Sequence, residues 1–215
     1  MRMERKELKA RGKAMLSGNL GMLIVCMVMV GAAECLIELF NYYVNMKIGS
    51  VLNILISGPL SLGVACVYLG MLRNGNADIA EMGKGFSRLG DSILLSLMVN
   101  FFTFLWVLLL IIPGIIASIR YSQAWYVMAD HPEMGAKLAL ERSKELMDGH
   151  KMEYFVLCLS FLPWILLGIV TCGFGFLYVV PYMNATFAVY YNELKWGTQK
   201  EQFAQDMAMM NGMRE

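Results

Sequence analysis

Residues 112–151 read IPGIIASIRYSQAWYVMADHPEMGAKLALERSKELMDGHK, and where this stretch lies relative to a bilayer decides the topology of everything around it. It opens on Pro113-Gly114, a break in an apolar run, and carries Arg120 and Gln123 among apolar neighbours. From Asp130 to Gly149 it reads as an amphipathic helix with both ends marked. Asp130 and Glu133 fit a capping box, with Pro132 in the permissive first turn, and Gly149 fits a C-terminal stop. Ala136, Ala139, Leu140, Ser143 and Met147 share one face. Glu133, Lys137, Glu141, Lys144, Glu145 and Asp148 cover much of the rest, with Lys137–Glu141 and Glu141–Lys144 at helix-neighbour spacing.

The run before it, Ser92–Ile112, is long enough to cross a membrane by itself. Either one long, kinked helix continues to about Arg120, or Pro113-Gly114 is a tight outer turn and residues 115–129 return as a short helix. Charge favours the return. Lys137, Arg142, Lys144 and Lys151 follow, and without a return they would lie outside, against the positive-inside bias.

Composition agrees that this is a membrane chain. Of 215 residues, 58% are hydrophobic and 16% charged, with a mean hydropathy of +0.53; a soluble domain has about 45–50% apolar and about 25% charged residues. The excess sits in runs of roughly 20 residues, the length that crosses a hydrocarbon core of about 30 Å. The expectation is an all-α polytopic bundle forming a single domain over 1–215. Its spans fall near 20–40, 50–72, 92–112, 115–129, 154–171 and 176–192, about six crossings, with a cytoplasmic or interfacial amphipathic helix at 130–149.

The net charge of +1 says little; its distribution says more. Arg2, Arg5, Lys6, Lys9, Arg11 and Lys13 precede the first span, and Arg73, Lys84 and Arg88 follow the second. Both stretches belong inside, as does the tail after Glu193, so both termini are expected in the cytoplasm. The basic residues orient the chain and do not predict nucleic-acid binding. In residues 73–91, Ile79, Met82 and Phe86 recur at helical spacing and suggest a short interfacial helix. Ser57, Ser61 and Gly63 in the second span let a neighbouring helix come close. The CGFG at 172–175 divides the last apolar stretch into two spans. Cys26, Cys35, Cys66, Cys158 and Cys172 all lie in apolar runs and read as small hydrophobes.

A faint internal repeat links two of the spans. Pro59, Val67, Tyr68, Leu72 and Gly75 recur at the same spacing as Pro181, Val189, Tyr190, Leu194 and Gly197, five identities over 17 positions. Arg73 and Lys195 are equivalent within it.

A family resemblance is carried by Ile112-Pro113-Gly114-Ile115, Tyr121-Ser122, Ala129-Asp130-x-Pro132-Glu133, Ser143-x-x-Leu146-Met147-x-Gly149-His150-Lys151, Leu159-Ser160-Phe161-x-x-Trp164 and Pro181-Tyr182. In these the chain resembles the domain-of-unknown-function 975 family (DUF975) of small integral membrane proteins from Gram-positive bacteria. More distantly it is similar to the membrane domain fused to some glycerophosphodiester phosphodiesterases. The resemblance implies a multi-span bundle in the bacterial cytoplasmic membrane and brings no established activity; the phosphodiesterase chemistry belongs to a catalytic domain outside the likeness.

Enzyme chemistry needs acid, base or ligand groups that converge. His131 and His150 stand at opposite ends of the amphipathic helix, about 28 Å apart along it, and share no metal there. No nucleotide-binding glycine loop, HExxH or G-x-S-x-G occurs, so neither an enzyme nor a cofactor is expected. Charges inside spans are the sharper pointer. Glu34 and Arg120 each fall about 9 Å inward from an outer turn in the six-span reading, which suggests an intramembrane pair helped by Gln123 or Asn100. The expected function is a non-enzymatic membrane component that binds a protein partner or anionic lipid through its cytoplasmic face. The alternative is a transporter or permease-like subunit with its polar core at Glu34 and Arg120.

Overall fold

The computed structural model describes the backbone of residues 4–43, 46–109 and 111–212, with side chains outside 46–51, 54, 109, 111 and 201–212. The first residues of the basic leader, Arg2 among them, and the side chains of Lys47 and of the tail beyond Lys200 lie outside the described set.

Long uncharged runs leave the backbone no partner but itself in an apolar medium, and the described residues form helices throughout, with no strand among them. In chain order these are α1 (Arg5–Leu16), α2 (Leu20–Tyr43), α3 (Met46–Asn74), α4 (Ala80–Phe86), α5 (Leu89–Leu109), α6 (Ile111–Tyr121), α7 (Ala124–Asp130), α8 (Ala136–Leu146), α9 (Lys151–Leu159), α10 (Leu162–Val170) and α11 (Phe176–Gly212). Hydroxyls inside the helices turn back on their own turns. Ser118 donates to the Ile115 carbonyl, Ser160 to Leu157 and Thr186 to Tyr182, so few polar atoms face lipid unpaired.

Among the described residues, four stretches are long and apolar enough to cross a membrane: Leu20–Tyr43, Leu55–Asn74, Leu89–Leu108 and Lys151–Val170. That is fewer than the expected six. Of the other two, 115–129 is divided between α6 and α7 by a break at Ser122-Gln123. The last, 176–192, is one continuous helix, but Tyr178, Tyr182, Asn184, Tyr190 and Tyr191 dilute its hydropathy.

α3 is the central helix. Of its apolar stretch, 67% is buried, against 17% for α2, and it touches α2, α4, α5, α7 and α11. Glycines let it be approached so closely. A side chain at Gly58 would meet the Ser92 carbonyl on α5, one at Gly63 the Met82 carbonyl on α4, and one at Gly85 would overlap the Pro59 carbonyl and the Gly63 backbone. α4 is therefore packed against α3 through Met82 and Gly85, where an interfacial helix resting on Ile79, Met82 and Phe86 was expected; Phe86 is 43% exposed.

α5 and α6 form an antiparallel hairpin. A Cβ at Gly114 would lie 2.9 Å from the Val107 Cα, and the rings of Phe102 and Tyr121 are 6.2 Å apart. This corrects the expected turn at Pro113-Gly114. The chain reverses between α5 and α6, and Pro113 sits in the first turn of α6, where its missing N–H costs nothing. Gly114 is instead the contact that brings the two arms together.

The amphipathic helix also begins later than expected. α7 ends on Asp130, and α8 starts at Ala136 with Gly135 as its N-cap. The capping box at Asp130 and Glu133 does not form, because each carboxylate is engaged elsewhere: Asp130 by distant cations, Glu133 by His131 at 3.1 Å. The buried face does follow the 3.6-residue period, with Ala136, Ala139, Leu140, Ser143, Leu146 and Met147 all buried. Gly149 takes φ +79°, the left-handed stop a helix C-terminus favours. The ion pairs here are Arg142–Glu145 and Lys151–Asp148, displacing the Lys137–Glu141 and Glu141–Lys144 pairs expected from spacing.

α9 and α10 break at Ser160-Phe161, with Pro163 in the first turn of α10. Cys172 and Gly173, both at positive φ, then turn the chain into α11. α1 lies across the joint: Lys9 Nζ donates to the Ser160 carbonyl at 2.7 Å and stands 4.2 Å over the Phe161 ring, while Arg11 pairs with Glu193.

Candidate functional site

Two crevices open between α2 and the rest of the bundle. One, about 270 Å³, is mainly apolar: Leu23, Cys26, Met27, Val30, Val64, Val67, Met82 and Val180, with Tyr68 and Asn184 at its polar end. The other, about 280 Å³, is walled by Ser57, Ser61, Ser122, Trp125, Tyr126, Tyr154, Asn184 and Phe187. They share Val30, Glu34, Val64 and Asn184. Glu34 therefore stands where an apolar lobe meets one rich in hydroxyls.

Each wall has a local cause. Ser57 and Ser61 lie one turn apart on α3. Tyr126 is held by stacking on Tyr191, ring centroids 5.7 Å apart, and by a 3.3 Å bond from its hydroxyl to the Asn184 carbonyl. The rings of Tyr154 and Phe187 are 5.4 Å apart. Behind Ser122, the buried Gln123 donates to the Ser122 hydroxyl at 3.0 Å, while its own Oε1 is buried without a partner. These groups can hold a polar head by hydrogen bonds; they present no nucleophile paired with a base.

Glu34 lies about 21 Å along α2 from Leu20 and about 14 Å from Tyr43, well inside an apolar helix. It takes no cation among the described residues, and Arg120 is not beside it. Arg120 faces α8 instead: its carbonyl accepts from Ser143 Oγ at 2.8 Å, and its charge helps hold the Asp148 carboxyl down, after the larger effect of Lys151. Of the groups thought to assist a pair, Gln123 lies beside the crevice at Ser122, and Asn100 bonds Ser96 at 3.3 Å on α5. Matched depth does not place two residues on facing sides of a bundle.

The resemblance-bearing positions are mostly joints. Asp130 binds Arg73 from α3 through Oδ1 and Lys195 from α11 through Oδ2, and Tyr191 donates to it at 2.8 Å. Burial opposes ionisation of its carboxyl, but the bonds from Lys195 and Tyr191 and the charges of Lys195 and Arg73 together hold it below the ordinary carboxylate value. Ser143 ties α8 to α6, Gly149 stops α8, and Lys151 bonds Asp148 at 2.7 Å. Pro132 lies in the exposed turn between α7 and α8. Pro181 sits inside α11, where it removes one ladder bond without ending the helix. Next to it, Tyr182 packs edge-on against Phe161 and Trp164, at 5.4 and 5.8 Å.

Asn184, Tyr126 and Tyr154 were not singled out by sequence. The amide of Asn184 in an otherwise apolar run was the pointer available; nothing local marks the two tyrosines.

The fold is thus that of an all-helical membrane protein. Residues 107–197 match the model of a protein family of unknown function, DUF975, and over that stretch the chain is similar to that family. No curated protein and no solved structure matches it, so the likeness to the phosphodiesterase membrane domain stands on its motif alone.

Proposed function

We propose that this chain is a non-enzymatic integral membrane component that takes an amphiphile from the bilayer into the crevice beneath α2, its polar head against Glu34. The observation that carries this is the position of Glu34: a carboxylate inside an apolar helix, without a cation among the described residues, on the wall that the two crevices share. Such a group is costly in hydrocarbon and marks a ligand or ion path by default. The lobes suit a long ligand, with an alkyl tail between Leu23 and Val180 and a cationic or hydrogen-bond-donating head among Ser57, Ser61 and Asn184. α2 is the natural side of entry, being mostly uncovered.

A bacterial cytoplasmic membrane with both termini inside fits this reading. The polar segment around Arg73, the Asp130 cluster and the start of α9 gather at one end of the bundle through the Arg73–Asp130–Lys195 contacts and the Tyr190–His150 bond, so these basic residues orient together. The exposed face of α8, with Lys137 and Glu141, would then be open to a cytoplasmic protein.

The test uses the purified full chain and a long-chain alkylamine, with the matching alkyl alcohol as control. The amine should bind more tightly than the alcohol, and Glu34→Gln should erase the difference while leaving the melting temperature in place. Equal binding of both probes by the wild-type protein would overturn the proposal. A transporter-like role is favoured by one further observation, the four lining residues that the two crevices share; amine flux through proteoliposomes, abolished by Glu34→Gln, separates transport from binding alone.

A further inference from the structure

Away from that crevice, the flank of the α5–α6 hairpin carries two cations that form no ion pair among the described residues. Arg120 is half-buried, and its Nε is buried with no hydrogen-bond partner. Lys144, on α8, reaches across so that its Nζ is 5.6 Å from the Tyr121 ring centroid and 5.7 Å from that of Phe102. Neither takes a carboxylate among the described residues. The acids nearby are already engaged, Glu145 by Arg142 and Asp148 by Lys151, and Glu141, one turn back on α8, is exposed to solvent. Two cations brought to one flank by the Ser143–Arg120 bond and the Lys144–Tyr121 contact, one fixed by aromatic faces and one with a donor to spare, offer a receptor for a monoanion.

The surface beside them says which anion. From Ser92 to Ile119 the hairpin has no charge, and it exposes Phe101, Phe104, Leu105, Leu108 and Ile112, Leu108 and Ile112 by 72% each. A free phosphate would use the cations and ignore this surface; a phospholipid uses both.

We infer that Arg120 and Lys144 bind the phosphodiester of one anionic phospholipid whose acyl chains lie along the exposed flank of the α5–α6 hairpin. The guanidinium and ammonium give charge-assisted bonds to the phosphate oxygens, and Ser143, by fixing the Arg120 backbone to α8, holds the two cations together. The inference does not rest on the Glu34 crevice, and Glu34→Gln leaves it unchanged.

The test titrates the delipidated full chain with phosphatidylglycerol, phosphatidylcholine and soluble glycerol phosphate, reading bound adducts by native mass spectrometry. Phosphatidylglycerol should bind roughly tenfold or more tightly than phosphatidylcholine, and the double variant Arg120→Gln/Lys144→Gln should lose that preference. Lys6→Gln/Lys13→Gln, the same loss of charge on the exposed side of α1, should keep it. If the double variant melts early, Lys144→Gln alone carries the test and should lose a severalfold part of the preference. Equal binding of the two lipids, an undiminished preference in the folded variant, or displacement of phosphatidylglycerol by an equal concentration of glycerol phosphate would each overturn the inference.

Discussion

Arg73 and Lys195 meet on one carboxylate, each on its own oxygen of Asp130. They occupy the same place in the two copies of the internal repeat, one near the end of α3 and the other on α11. The two helices are thus fastened to the same residue of α7. Asp130 is 6% exposed, whereas Arg73 is 54% and Lys195 27% exposed, so the carboxylate depends on its partners more than they depend on it.

That asymmetry sets the order of three substitutions. Asp130→Asn leaves two cations facing an amide and should cost about 2–4 kcal/mol. Lys195→Gln should cost less, and Arg73→Gln about 1 kcal/mol or below, as a mostly solvated partner. Thermal unfolding in detergent gives the ranking; an Asp130→Asn variant as stable as wild type would show that the cluster holds nothing together.

Acid should weaken the same joint. The Asp130 carboxyl is held below its ordinary value of 3.8, so the unfolded chain takes up a proton before the folded one. The stabilisation is fully present above that value and is lost as pH falls through it toward the folded pKa. Melting temperature followed from pH 7 to pH 3 should drop by more in the wild type than in Asp130→Asn. Parallel curves would assign the acid sensitivity to other carboxylates.

Gly85 and Gly83 make a paired test of the α3–α4 contact. A methyl group at Gly85 would overlap the backbone of α3, while one at Gly83 meets nothing. Gly85→Ala should destabilise by about 2 kcal/mol or more, because backbone cannot yield as a side chain does. Gly83→Ala should be neutral or stabilising by up to about 1 kcal/mol through helix propensity.

At Gly149 the backbone itself is the constraint. Its φ of +79° costs an L-residue about 1 kcal/mol. Gly149→Ala should lower stability by that amount and Gly149→Asn by less, read from the same melts; equal effects of the two would point away from backbone strain.

What the sequence declared and what it hid differ by range. The buried face of α8 and its stop at Gly149 were legible because period and capping act over a few residues, and the turn after α10 was legible in Cys172-Gly173. The start of α8 was misplaced because Asp130 is claimed by residues 57 and 65 positions away, which no local pattern records. Pro113-Gly114 looked like a turn for a good local reason, but the glycine is used for close approach to Val107. The Glu34 carboxylate was recognisable as unusual from its apolar setting; its neighbours on α3, α7, α9 and α11 became visible only when four distant segments were brought together.

The clasp of α1 on α9, α10 and α11 has a consequence for synthesis. The Ser160 carbonyl that receives Lys9 lies 151 residues further along the chain, and the Glu193 that receives Arg11 lies 182 further, so α1 has no berth until those helices have been made. A nascent chain cut before α9 should leave α1 undocked, its basic face available to the lipid surface. The docking of α1 thereby waits on helices far downstream of it.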